Sequence, residues 1–378
     1  MVLYTGDRFI PYRVHPVVDS PNTQLSRRLR YALGLRHRRA LQYTRRNQTT
    51  VPFNQRVSQR ATYTPPNNPK QILNAPELSK DFYDSVISWG PANVVAIALG
   101  GTVYIYDVSL RKIVKDRAHG SPLRCVGWKD DRVLLYANYG KLFCHDIESS
   151  VCYETGITCA GTIRATQTAT AVGTNTGVHL YDFRQHRAIQ LIVLNQDGDH
   201  RCGIEWSPHN NHLLLVGGND NTVSLWDIRQ AGRSVATFRK HTAAVRGIAW
   251  CPHDAHSFCS GGGSACKHLY MWNIHRSAPT KSLNVNGQVC RLFWKGKYLI
   301  TTEGFSSNAL NVWTAASMEH AATVLQWHNR LLHADMSPDG CRIIVGCGMD
   351  EIIWIRTLFD PAPSQSSLYS GLQMPVIR

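Results

Sequence analysis

Apolar and polar positions alternate through Val223-Ser224-Leu225-Trp226 and stop at Asp227, directly after the run Gly217-Gly218-Asn219-Asp220-Asn221. A period of two marks a strand, with Val223 and Leu225 on one face and Ser224 and Trp226 on the other. The preceding run has turn chemistry: Asn and Asp bond their own backbone, and Gly supplies positive φ. The same unit recurs along the chain. Its final aromatic column falls at Tyr106, His145, Tyr181, Trp226, Trp272, Trp313 and, in a degraded copy, Arg356. The intervals of about 36 to about 46 residues match a four-stranded blade carrying a Trp-Asp signature. Seven copies predict an all-β chain, a seven-bladed WD-repeat β-propeller over 69–356. An extended N-terminal arm (1–68) and a short C-terminal tail (357–378) flank it.

Each blade has its own markers. The first runs from Asp81 through Trp89 to Tyr106-Asp107, the second through Trp128 to His145-Asp146, and the irregular third ends at Tyr181-Asp182. Trp206, Trp250 and Trp294 mark the fourth, fifth and sixth, and the seventh runs from His328 to Trp354. Ahead of them, Gln71-Ile72-Leu73 is expected to supply the outer strand of the last blade, which closes the ring and removes exposed edges.

Composition changes the picture in one respect. The chain of 378 residues carries a formal net charge of +15, which on its face suggests a nucleic-acid partner. Residues 1–68 hold twelve Arg, no Lys and two Asp, so +10 of the total lies in the arm and about +5 in the propeller. No run of eighteen apolar residues occurs, so no membrane span is expected, and the N-terminus lacks a signal-peptide pattern. Eleven scattered Cys without a CxxC pair read as small buried hydrophobes rather than a zinc site or disulfide framework.

The arm is too polar to fold alone. Two stretches stand out in it. Asp7-Arg8-Phe9-Ile10-Pro11-Tyr12-Arg13 combines apolar anchors, a φ-locking Pro and Arg forks suited to carboxylates, the makings of a docking peptide. Thr23–Tyr43 holds Leu25, Leu29 and Leu33 at helical spacing among Arg residues, a short basic helix that is a solvated arm or a contact for an acidic protein, with RNA ranked behind both. Only Tyr31 and Tyr43 interleave there, which argues against stacking on nucleic acid.

A search for chemistry finds little. There is no G-x-S-x-G, no HExxH, and the Gly261-Gly262-Gly263 run lacks the Lys-Ser/Thr of a phosphate loop. His119 and His241 are expected to pair with turn Asp residues in a structural role. The chain reads as a binding module, with no catalytic residue, cofactor or metal expected.

Three features then coincide: Asp7, Arg8, Phe9, Ile10, Pro11 and Arg13 look like a C-box, the chain ends in Ile377-Arg378, and a seven-bladed propeller stands between them. Gln71-Ile72-Leu73-Asn74-Ala75-Pro76-Glu77-Leu78 followed by Asp81-Phe82-Tyr83 adds a fourth. Together they resemble the Fizzy and Fizzy-related family, substrate-recruiting co-activators of the anaphase-promoting complex. The resemblance implies that the C-box and the Ile-Arg tail dock on ligase subunits, two weak contacts giving avidity, while the propeller holds degrons of substrates such as cyclins. It implies no membrane, makes nucleic acid an unexpected partner, and places the protein in nucleus and cytoplasm. Carried over by position, the pocket for the Lys-Glu-Asn degron falls at Asp81, Asn219, Asn221, Ser264, Gln288 and Arg330. The destruction-box groove falls at Leu73, Asn74 and Glu351, between the first and last blades.

The chain also departs from the family's pattern. Position 264 usually holds Thr, and Ser keeps the hydroxyl. Position 74 usually holds Asp; Asn there removes a charge-assisted bond of roughly 1.5–3 kcal/mol, about tenfold or more in affinity. The C-box begins at residue 7, leaving no room before it for checkpoint-binding motifs. The alternative reading is a propeller scaffold whose basic arm binds RNA or an acidic protein, which steep salt dependence would distinguish.

Overall fold

The computed structural model describes residues 63–66, 71–138, 140–157, 160–166, 169–174, 177–182, 187–193, 200–230 and 232–360. The proposed C-box, the basic stretch 23–43 and the Ile377-Arg378 terminus lie outside the described residues. Among those described, the strands form seven four-stranded antiparallel sheets. The innermost strands are Ile87–Trp89, Leu123–Trp128, Ala160–Ala165, Arg201–Trp206, Val245–Trp250, Val289–Lys295 and His333–Met336. Each packs on the next and the last on the first, so the ring is closed. The closing strand Gln71–Asn74 pairs antiparallel with Ile352–Thr357, in register Gln71 with Ile355 and Asn74 with Ile352, as the outer strand of blade seven.

Small residues let the blades approach. A Cβ on Gly261 would lie 2.3 Å from Val289 of blade six, and one on Gly217 would lie 2.5 Å from the Val245 carbonyl of blade five. Indole groups then tie neighbours together. Trp128 Nε1 donates to the Ser88 carbonyl (3.1 Å), Trp206 Nε1 to Arg164 (2.9 Å) and Trp250 Nε1 to Glu205 (3.3 Å), each reaching the inner strand of the preceding blade.

The Trp column acts inside the blades. In blade five, Trp272 Nε1 donates to Ser260 Oγ at 2.8 Å, and Ser260 Oγ shares a 2.7 Å bond with His241 Nε2. His241 Nδ1 then faces Cys266 Sγ at 3.3 Å. The expectation that His119 and His241 pair with turn Asp residues is corrected here. The relevant turns supply no Asp: His241 meets Ser260 and Cys266, and His119 Nε2 bonds Tyr136 Oη at 2.6 Å. Tyr136 occupies in blade two the strand position of Ser260, so a longer side chain delivers the hydroxyl. A His–turn-Asp pair forms instead in blade seven, where His328 Nε2 lies 3.3 Å from Asp350 Oδ1 and Trp327 Nε1 donates to Asp350 Oδ2 at 2.6 Å.

In the register of blade seven, Arg356 opposes Ile343 as Trp272 opposes Phe258 in blade five, so Arg356 does stand in the Trp column. Tyr63, from the end of the arm, is buried against Tyr298 and Phe359 and donates to the Leu358 carbonyl at 2.7 Å.

A peptide-sized face around the plugged channel

In an antiparallel blade, the turn between strands two and three and the link from strand four to the next blade emerge on the same face. Asn219 and Asn221 (blade four), Ser264 (blade five) and Glu351 (blade seven) occupy such turns. Asp81, Gln288 and Arg330 occupy such links, and Asn74 ends the closing strand at that edge. Topology therefore gathers residues more than two hundred positions apart onto one surface.

At its centre the link 75–86 plugs the ring. Phe82 packs on Ala244, Cys290 and Leu332 from three blades, with the Arg246 guanidinium 5.2 Å from its ring. Tyr83 lies edge-on to Phe82 at 5.3 Å and against His200 at 5.4 Å. The turn Asn219–Asn221 joins the plug through His200, whose carbonyl accepts from Asn219 N at 3.2 Å.

Short polar side chains hold the plug's shape. Asp81 Oδ1 accepts from Tyr83 N at 2.9 Å, a local turn bond. Its Oδ2 lies 3.5 Å from Arg124 Nη2, and the side chain stays 36% exposed. Arg124 Nε also pairs with Asp84 Oδ1 at 2.8 Å, and Ser79 Oγ donates to Asp84 Oδ2 at 2.6 Å. Burial pushes the Asp84 carboxyl up to about 6 in spite of Arg124.

Beside the plug, Arg330 Nη2 donates to the Lys80 carbonyl at 3.4 Å, one residue from Asp81. Its guanidinium lies 4.6 Å from the ring of Phe305, which is 54% exposed. Gln288 N donates to the Phe305 carbonyl at 2.6 Å. A Cβ on Gly304 would meet Gln288 Oε1 at 2.7 Å and Arg330 Cδ at 3.2 Å, so only a Gly there lets both side chains close over the turn. Asn221 adopts φ of 61°, and its Oδ1 is buried without a protein hydrogen bond. Lys267 Nζ donates to Ser306 Oγ at 3.0 Å, tying the turn that carries Ser264 to the Phe305 turn. Among the described residues no group of three or more His, Cys, Asp and Glu forms a metal site.

Comparison with known proteins agrees with this architecture. The CDC20/Fizzy WD40 domain model matches residues 73–355. The chain belongs to the CDC20/Fizzy family. It is 30% identical to "Cell division cycle 20.5, cofactor of APC complex" of Arabidopsis thaliana over 84% of this chain and 74% of that protein. It is also 30% identical to "Meiotic fizzy-related protein 1" of Schizosaccharomyces pombe, over 80% of this chain and 73% of that protein. A chain in the crystal structure of a mitotic checkpoint complex superposes with a TM-score of 0.71 at 26% identity, covering 84% of this chain and 98% of that one.

In this CDC20/Fizzy chain, the six residues assigned to the Lys-Glu-Asn pocket lie on one face, with Gln288 and Arg330 closing over Gly304 and Arg330 reaching the Lys80 carbonyl, one residue before Asp81. The destruction-box assignment needs a correction. Leu73 is fully buried in the core between blades seven and one, so it supports the groove and offers it no surface. It fails as a contact because it pairs with Ile353 and points inward from the closing strand. Asn74 is nearly buried as well, and Ala75 N donates to the Glu351 carbonyl at 2.7 Å, so the backbone of this edge is already engaged.

Sequence reasoning missed Phe305, Arg124 and Asp84. Phe305 had a signal, an aromatic in a turn equivalent to Asn219–Asn221. Arg124 and Asp84 had none, being forty positions apart and joined only by ring closure.

Proposed function

We propose that this chain is a substrate-recruiting co-activator of the anaphase-promoting complex, acting in nucleus and cytoplasm, with its propeller face holding degron peptides. The observation that carries the reading is that Asp81 and Arg330 stand at one edge of the plug, the Arg330 guanidinium bonding the carbonyl of the residue before Asp81. Asp81, half exposed, stands next to Lys80, whose carbonyl anchors the Arg330 guanidinium. A peptide with adjacent Lys and Glu side chains matches that pair, Lys toward Asp81 and Glu toward Arg330. Amides at Asn219, Asn221 and Gln288 and the Ser264 hydroxyl suit the following Asn and the peptide backbone. The names of relatives, one of them a cofactor of the APC complex, support the choice of partner.

Docking rests on Asp7–Arg13 as C-box and on Ile377-Arg378 as tail, an apolar residue followed by a guanidinium suited to carboxylates. Glu351 is left as the main acidic contact for the destruction-box Arg. Cyclins are among the substrates expected. The role is tested by affinity purification of the tagged chain from dividing cells beside a variant with Arg8→Ala and residues 377–378 removed. Ligase subunits recovered with the first and lost with the second are expected; their absence from both refutes the role.

A further inference from the structure

The channel is closed by Phe82 at the degron-facing end and opens at the other. Below the plug lies a cavity of about 390 Å³, within the range of small-molecule sites. The far ends of the inner strands line its mouth with Trp128, Trp206, Trp250 and Trp294. Five charged side chains line it further in: Arg164, Arg246, Arg291, Glu205 and Asp335.

Their pairing is unequal. Glu205 is matched by Arg164 at 3.4 Å. Asp335 already accepts from Trp89 N at 2.8 Å and from Met336 N at 3.0 Å. Arg246 and Arg291, 2% and 5% exposed, make no ion pair among the described residues. Arg246 donates to the carbonyls of Leu332 (3.0 Å) and Asp84, and Arg291 to the hydroxyl of Ser85. The Nε of each has no protein partner. These bonds fix the two guanidiniums against the underside of the plug, as the roof of the cavity. A β-bulge in the inner strand at Arg246 turns its side chain toward the axis.

Guanidinium stays protonated in proteins, so the charges cannot be relieved by losing a proton. Burial, and then Arg246 and Arg164, hold Arg291 well below its ordinary value, against the opposing pull of Asp335 and Glu205. Elsewhere in the channel Arg124 is taken up by Asp84 and Asp81. Two buried guanidiniums that form no close ion pair among the described residues, beside a polar cavity, suit an anion. We infer that the channel beneath the plug is a binding site for a small phosphate-bearing anion, gripped by Arg246 and Arg291 with Arg164 at its side. Planar forks suit tetrahedral oxyanions, and the buried setting of both guanidiniums strengthens their pull on one. The site opens away from the degron face, so an occupant stabilises the plug from below without competing for peptide.

The test uses the full-length chain. Thermal unfolding is followed against inorganic phosphate, with chloride at matched ionic strength as control. Phosphate at one hundred times its Kd is expected to raise Tm by about 5 °C. Arg291→Met, at least as stable in chloride because a buried charge is removed, should lose that rise. A purely structural arginine would leave the wild type indifferent to phosphate. No phosphate-specific rise in the wild type, or a rise retained in Arg291→Met, overturns the inference. Should Arg291→Met not fold, Arg291→Lys keeps the charge without the fork and should bind at least tenfold more weakly; unchanged affinity overturns the inference. A ³¹P titration of the wild type must saturate, and a Kd weaker than about 10 mM also overturns it. Ribose 5-phosphate in parallel separates the sources: tighter binding of the ester assigns the site to a sugar phosphate, tighter binding of the ion to phosphate itself.

Discussion

Replacing Ser260 with Ala should expose how much of the ring depends on side-chain hydrogen bonding within a blade. Ser260 is fully buried and sits between Trp272 Nε1 at 2.8 Å and His241 Nε2 at 2.7 Å. Burial pushes His241 down to about 3, so the ring is neutral at pH 7. The proton order then follows: the indole donates to Ser260, whose hydroxyl donates to His241 Nε2, and Nδ1–H faces Cys266. Removing one oxygen leaves a negligible cavity but strands one buried donor and one buried acceptor. Each costs about 1–3 kcal/mol, so the loss should be about 2–6 kcal/mol, or roughly 4–12 °C in Tm for a propeller of this size. Ser224→Ala is the internal control. Ser224 accepts from Trp226 Nε1 at 2.8 Å, but Trp226 is partly exposed, so water recovers the bond and about 1 kcal/mol is expected. In a Trp272→Phe background, Ser260→Ala should cost 1–2 kcal/mol less, about the coupling of touching residues. Equal losses at 260 and 224, or a loss at 260 below about 0.5 kcal/mol, would refute the reasoning.

Glu303 bears on pH. It is fully buried, accepts from Thr301 Oγ1 at 2.6 Å, and burial pushes it from 4.5 up to about 7. A raised carboxyl favours the folded state while protonated and opposes it once ionised. Glu303→Gln should therefore exceed the wild type by up to roughly 3 kcal/mol above pH 7 and lose that advantage as pH falls toward 4.5; denaturant midpoints across that range check it. Peptide titrations test the degron face. Arg330→Ala should weaken a Lys-Glu-Asn peptide by tenfold or more and also cost about 1–3 kcal/mol of stability, because the side chain is buried and bonded to the Lys80 carbonyl; wild-type affinity in the folded variant would remove Arg330 from the pocket. A destruction-box peptide should bind the wild type more weakly than the Lys-Glu-Asn peptide, and equal or tighter binding would show that Asn74 costs nothing.

Period and turn chemistry determined the number of blades, the inner-strand Trp markers and the strand that closes the ring. These are local quantities: strand alternation, Asn and Gly at positive φ, and a repeat length that one four-stranded sheet must consume. Arg356 could be placed in the Trp column from spacing alone, and the register agrees.

Partners across the ring were another matter. His119 found Tyr136 because a turn without Asp left its nitrogen to the nearest hydroxyl, a choice made by packing within the blade. Leu73 looks like a groove residue by position, yet the closing strand turns it into the core, and Asn74, one residue on at the strand's end, is nearly buried too. Phe305 joined Arg330, and Arg124 joined Asp84, only because ring closure and the plug set links from different blades side by side. The buried guanidiniums of the channel were invisible for the same reason. A strand pattern tells which face a side chain takes, but on a closed ring the inward faces of seven strands meet, and what each meets is decided by closure.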